Sequence, residues 1–192
     1  MKFDIILAGV GGQGVLSVSA IIASAAMHEG LSVKQSEVHG MSQRGGEVQA
    51  HLRLSDKPIA SDLIPGGGAS LILSMEPLES LRYLSYLSES GTVLTATDAV
   101  ENFPNYPPLE GVLAQVRALP RAILVDTEKL ARQAGSARAT NMVMVGAAAH
   151  LLPVKLESLE HYVRTLFASK GEKVVEINLK AMAAGRAAAA AR

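Results

Sequence analysis

Three features of this sequence predict an α/β fold, a single doubly wound, mainly parallel sheet flanked by helices and Rossmann-like in plan. The chain opens on an apolar run, residues 3–8, that ends in Gly9-Val10-Gly11-Gly12-Gln13-Gly14. Residues 15–27 then consist almost wholly of Val, Leu, Ile, Ala and Ser, as a helix buried against a sheet does. Beyond them, short apolar runs alternate with amphipathic stretches through most of the 192 residues. Such alternation lays parallel strands beneath crossover helices.

Each element has its own warrant. Glycines in a strand-to-helix turn accept positive φ, admit ligand atoms close to the backbone and let helix and strand pack together. The free N–H groups at the helix start, with the dipole behind them, make an anion site. Gly30 reads as the C-cap of that helix. Residues 31–38 alternate as a strand, and 39–46 form a polar, glycine-punctuated loop too rich in hydrogen-bonding groups to be buried idly. Val48, Ala50, Leu52 and Leu54 against Gln49, His51 and Arg53 predict a half-exposed strand. Pro58 and Pro65-Gly66-Gly67-Gly68 punctuate a connection. A buried strand over 69–74 follows, then a helix opened by Glu76-Pro77-Leu78-Glu79, whose Leu78, Leu81, Leu84 and Leu87 extend its period. A strand is predicted over 91–97, a proline-rich loop over 102–108, a helix over 109–119 and a strand over 122–125. Asp126-Thr127 caps a helix over 128–133. Helices are predicted from Thr140-Asn141 to about 152, around Leu156, Leu159, Val163, Leu166 and Phe167, and over 172–182. Residues 1–185 read as one domain, and 186–192 as a low-complexity alanine-rich tail, either a fraying helix end or solvated coil.

Composition narrows the function. Eighteen basic residues balance eighteen acidic ones, so no overall field favours nucleic acid or an anionic membrane. Cysteine is absent, which excludes disulfides, a thiolate nucleophile and any iron–sulfur cluster held by this chain's own thiolates. The start shows no basic-then-apolar leader, and no run is long and apolar enough to span a bilayer. A cytoplasmic location is therefore expected.

The candidate residues gather at predicted strand ends. Gly9, Gly11 and Gly14 fit the dinucleotide-binding spacing, yet the acidic residue expected about twenty positions on falls at Glu37, inside the polar run 35–40. The glycines can equally serve only to make the corner. None of the five histidines shows the spacing of a metal site, so no metal ligand is assigned; His39 is the one histidine read as functional. No Gly-x-Ser-x-Gly elbow and no Walker lysine appear. Arg44, between flexible neighbours, is suited to a bidentate grip on carboxylate or phosphate, or to bonding loop carbonyls. Asn141 reads as a helix N-cap or as a ligand-facing amide. Because ligands of open α/β sheets bind beyond the carboxyl ends of the strands, Gly11, Gly12, Gln13, Gly14, Ser36, His39, Arg44 and Asn141 form the predicted crevice. No catalytic residue is assigned.

Gly9-Val10-Gly11-Gly12-Gln13-Gly14-Val15, taken with the run from Ser36-Glu37-Val38-His39 through Gly40-Met41-Ser42-Gln43-Arg44-Gly45-Gly46, resembles the gamma-type domain of the 2-oxoacid:ferredoxin oxidoreductases. Asp62-Leu63-Ile64-Pro65, Met75-Glu76-Pro77-Leu78-Glu79-Ser80-Leu81-Arg82 and Thr140-Asn141-Met142-Val143 extend the resemblance over nearly the whole chain. Within that family, length and motifs are most similar to small subunits acting on aryl 2-oxoacids such as indolepyruvate. The resemblance implies oxidative decarboxylation, with CoA as co-substrate, to an acyl-CoA and carbon dioxide, electrons passing to ferredoxin. It also implies thiamine diphosphate, magnesium and iron–sulfur clusters. This chain has neither cysteines for clusters nor a Gly-Asp-Gly stretch followed by Asn for the thiamine cofactor, so these groups are expected on a large alpha subunit. Ferredoxin would then be an indirect partner, and self-association of the isolated chain is left open. Two alternatives stand beside this reading: a self-contained dinucleotide-binding oxidoreductase and a purely scaffolding subunit.

Overall fold

The computed structural model describes residues 1–39 and 45–190, the His39 side chain excepted. Among them, six strands form one mixed sheet: β1 (Lys2–Val10), β2 (Ser32–His39), β3 (Glu47–Ser55), β4 (Ala69–Ser74), β5 (Leu87–Ala96) and β6 (Ala122–Val125), in the order β2-β3-β1-β4-β5-β6. β1, β4, β5 and β6 are parallel, whereas β3 runs antiparallel to both β1 and β2. A connection of seven residues, 40–46, cannot carry the crossover that a parallel return requires, so β3 turns back beside β2. The doubly wound plan read from the sequence stands, with one strand inserted against the rest.

Seven helices flank the sheet among the described residues: α1 (Val15–His28), α2 (Pro77–Arg82), α3 (Leu109–Arg117), α4 (Thr127–Ala134), α5 (Thr140–Ala148), α6 (Leu156–Phe167) and α7 (Glu172–Ala190). One face, with Ile5, Leu7, Leu52, Leu71 and Leu94, packs under α1 and α4 to α7. The other, with Ile6, Ile72, Val93 and Leu124, is covered by α3 and by Ile64 from the connection after β3. Aliphatic side chains and alanine fill both layers, as the shortage of aromatic residues requires. None of the described helices is long and apolar enough to cross a membrane.

Several boundaries differ from the sequence reading, each for a local reason. The leucine period after Glu76 does not carry one helix to Leu87: α2 ends at Arg82, a 3-10 turn takes Leu84–Tyr86, and β5 already begins at Leu87. α5 stops at Ala148, and α3 at Arg117. α7 continues past Met182 to Ala190, with Gly185 and Ala189 buried. The polar face of β3 is half-exposed only in part: Gln49 and Arg53 keep some exposure, and His51 is buried. Arg53 Nη1 donates to the Ser61 and Leu63 carbonyls, at 2.9 and 2.8 Å, drawing the connection across that face. Beneath it His51 is buried, its Nδ1 accepting from Ile64 N at 3.0 Å. Burial holds this imidazole below its ordinary pKa, in the neutral form the bond requires.

Candidate functional site

From β1 the chain crosses to β2 on one side, and β4 lies on the other, so the switch point falls between β1 and β4. At such a point the strand ends leave a crevice, and the glycine turn fills its floor. Gln13 closes the turn and clips it across the switch point. Its Oε1 accepts from Val10 N at 2.8 Å, and its Nε2 donates to the Met75 carbonyl at 3.0 Å, just beyond β4. Met75 N in turn donates to the Ala8 carbonyl at 2.9 Å. The Gln13 amide therefore holds the backbone together; it is a positioning group.

Gly11 faces the loop between β2 and β3. Its N–H donates to the Gly46 carbonyl at 2.8 Å, and its carbonyl accepts from Gly45 N at 3.3 Å. The turn and the loop thus share the edge that the sequence predicted. Gly12, at φ 105°, is exposed, with no atom within 4 Å of where a Cβ would stand. Gly14, at φ 82°, is the N-cap of α1 and gives it no side-chain cap. A Cβ there would meet Asn141 Nδ2 at 2.7 Å. Asn141 is accordingly not the N-cap of α5, which is Ala139; its amide lies over the turn. Among the described residues the amino end of α1 receives no side-chain acceptor, and the exposed Gly12 lies two residues before its N-cap.

The structure does not bring Ser36 to this crevice. It pairs with His51 in mid-strand, level with Ile6, and β3 separates it from β1. Two strand spacings, roughly 10 Å, and four residues of strand lie between Ser36 and the turn. His39 ends β2 opposite Val48, at the crevice edge. Arg44, with residues 40–43, lies outside the described residues. Glu37 is paired with Ala50 on a strand not adjacent to β1, whereas a ribose-binding acid stands at the end of the neighbouring strand. The dinucleotide pattern therefore lacks its second half.

A strap missed by the sequence reading crosses the same edge. Asn102 Nδ2 donates to the Gly45 carbonyl at 2.5 Å, and Tyr106 OH donates to Glu76 Oε1. Glu76 is buried as the N-cap of α2, its Oε2 accepting from Glu79 N at 2.8 Å. Tyr106 is pushed well above the ordinary tyrosine pKa by burial and by its carboxylate partner. Three prolines marked this segment as a loop, but nothing in its local pattern signalled where Asn102 and Tyr106 would reach. Among the described residues no cluster of three or more metal-ligating side chains forms. The site is a polar backbone edge with an electropositive helix end, the kind of arrangement that binds anions.

Comparison with known proteins fits this architecture. A sequence profile described as pyruvate ferredoxin/flavodoxin oxidoreductase matches residues 4–188. The indolepyruvate oxidoreductase subunit IorB of Archaeoglobus fulgidus is 39% identical over 194 residues, covering 96% of this chain and 94% of that one. A keto/oxoacid ferredoxin oxidoreductase gamma subunit from Geobacter sulfurreducens superposes with a TM-score of 0.72 at 26% identity, covering 99% of each chain. The 2-oxoglutarate:ferredoxin oxidoreductase of Magnetococcus marinus, solved with 2-oxoglutarate, coenzyme A and succinyl-CoA bound, has the same fold at TM-score 0.78 and 21% identity. There the match takes in all of this chain and 31% of the longer one. From its first strand to its last helix, then, the chain belongs to the pyruvate ferredoxin/flavodoxin oxidoreductase family.

Proposed function

We propose that this chain is the small subunit of an indolepyruvate:ferredoxin oxidoreductase. The reaction joins an aryl 2-oxoacid and CoA to give an arylacetyl-CoA and carbon dioxide, two electrons passing to ferredoxin. Aryl 2-oxoacids arise when aromatic amino acids lose their amino group, so the reaction belongs to amino-acid catabolism, in the cytoplasm. Support for the substrate comes from the near full-length similarity to an indolepyruvate oxidoreductase subunit. Support for the division of labour comes from the residues themselves. A chain without cysteine cannot hold clusters by thiolates, and this one has no Gly-Asp-Gly stretch followed by Asn for the thiamine cofactor and its magnesium, so all three are assigned to the large subunit.

One observation carries the role of this chain: the uncapped start of α1 and the open Gly12 stand together at the switch point. We assign this edge to the phosphate groups of CoA, brought over the partner's thiamine. Exposed backbone N–H groups at a helix start fit phosphate, and a missing Cβ lets it approach. His39 and Arg44, at and within the adjoining loop, are proposed to complete the grip, with Asn141 behind the turn.

The purified chain alone should show no 2-oxoacid-dependent dye reduction, and adding the large subunit should restore it. In the restored complex Arg44→Ala should raise the KM for CoA. Full turnover with unchanged CoA and 2-oxoacid affinity would leave a scaffolding role only.

A further inference from the structure

Beside the crevice, sharing Asn141 with it and reaching Ser17 in the first turn of α1, lies a cleft of about 390 Å³. That is within the roughly 300–1,000 Å³ typical of small-molecule sites. Its buried lining includes Ala139 and Asn178, 2% and 5% exposed. Phe167 and Ile177 give it an apolar wall, while Arg138 and Lys170 supply two cations. No acidic side chain lines it among the described residues.

Like several other cations among the described residues, those of this cleft stand outside ion pairs, but these two line one cleft. Arg53, Arg82, Arg117, Arg132 and Arg164 each stand within ion-pair distance of a carboxylate. Arg138 and Lys170 have no such partner among the described residues. Lys170 Nζ is held 5.2 Å from the Phe167 ring centroid, which keeps the ammonium at the cleft. α5 begins beside the lining residue Ala139, and its dipole adds positive potential there, although Met142 N already donates to Asn141 Oδ1 at 3.0 Å. Asn178 donates its Nδ2 to the Val174 carbonyl at 2.8 Å, and its oxygen accepts from no donor among the described residues.

Two cations and a helix end call for a dianion. An apolar wall and an amide oxygen open to the cleft on an otherwise buried Asn178 call for a body with a flat face and a donor group. We propose that this cleft is a second ligand site, for an organic phosphomonoester. Its phosphate lies between Arg138 and Lys170, its body against Phe167 and Ile177, and a hydroxyl or amino group donates to Asn178. The site is independent of the CoA assignment, and its failure leaves that assignment standing.

Titration of the purified full-length chain, followed by amide NMR shifts, tests the site with adenosine 5′-monophosphate as the probe. Shifts should concentrate at Ala139, Asn141 and the 174–178 turn, and the affinity should fall as salt is added. Arg138→Ala with Lys170→Ala should weaken binding at least about tenfold, since both side chains are exposed and neither holds the fold. Arg138→Lys with Lys170→Arg should retain most of it. Adenosine should bind at least tenfold more weakly than the monophosphate. No binding at millimolar probe, equal binding by the alanine double variant, or shifts confined to residues 11–14 would each overturn the proposal. Equal affinity for inorganic phosphate would overturn the organic body.

Discussion

Gly14 and Asn141 are one structural unit made of two distant residues. At φ 82° an L side chain costs about 1–2 kcal/mol, and the added methyl would also press on Asn141 Nδ2 at 2.7 Å. Gly14→Ala should therefore cost about 2 kcal/mol or more in urea unfolding. Made in an Asn141→Ala background it should cost measurably less, because the steric part is gone and the backbone part stays. Strictly additive costs would mean that the two residues do not meet. Gln13 is the other residue on which the turn depends, since one amide serves both Val10 N and the Met75 carbonyl. The sequence pointed to Gln13 as a crevice residue because it sits among glycines. Its inward role was not legible, because the carbonyl it reaches is 62 residues away.

Among the helices, the contact that the alanine-rich end conceals is the crossing of α5 and α7. A Cβ on Gly146 would stand 1.8 Å from the Met182 carbonyl oxygen, and one on Gly185 would stand 1.9 Å from that of Val143. Backbone cannot yield as a side-chain tip can. Gly146→Ala or Gly185→Ala should each destabilise by about 3 kcal/mol or more, the upper end of overpacking costs. A thermal melt unchanged by either would refute the close crossing. Sequence periodicity found both helices, because their apolar spacing is local. It ended the last one at Met182, since beyond that point apolar side chains give way to alanine and the contact is made by a glycine with no side chain to show. The α2 boundary failed for the opposite reason: its leucine spacing persists through the 3-10 turn to Leu87, the first residue of β5, because Leu81, Leu84 and Leu87 all pack on one core cluster. Helix α2 also carries a titration. Burial, opposed by Arg82, lifts the Glu79 carboxyl above the ordinary glutamate value, and its Oε2 is buried with no partner among the described residues. An acid raised in the folded state binds its proton more tightly there than when unfolded. Its contribution is thus fully present below pH 4.5 and is lost as pH rises through the folded-state value. Glu79→Gln, which can still accept from Arg82 Nε, should gain stability relative to the parent as pH rises from 4.5 toward neutrality. A difference in urea midpoint that stays constant across that range would contradict the shift.

At the scale of the whole molecule, strand order decides what the glycine turn is for. The sequence showed strands alternating with helices, and so the sheet and the side on which the turn opens. It could not show that β3 would enter between β2 and β1, because strand order is set by packing across the sheet and not by local pattern. That insertion removes Ser36 and Glu37 from the turn and leaves a crevice bounded by β1, β4 and Gly45-Gly46. Two glycines now separate backbone strain from ligand access. Gly12, at φ 105°, and Gly30, at φ 82°, are both exposed, and neither would give an added methyl any contact within 4 Å. Alanine at either position should therefore cost a similar 1–2 kcal/mol of stability or so, by the same φ penalty. They differ in place: Gly12 stands at the carboxyl end of β1, whereas Gly30 follows the far end of α1, one helix length away. If CoA phosphate approaches the turn, Gly12→Ala in the assembled oxidoreductase should raise the KM for CoA about tenfold or more. Gly30→Ala should leave it within about twofold. Equal KM values for the two variants, with matched stability losses, would show that the turn is a corner of the fold and that CoA is held elsewhere.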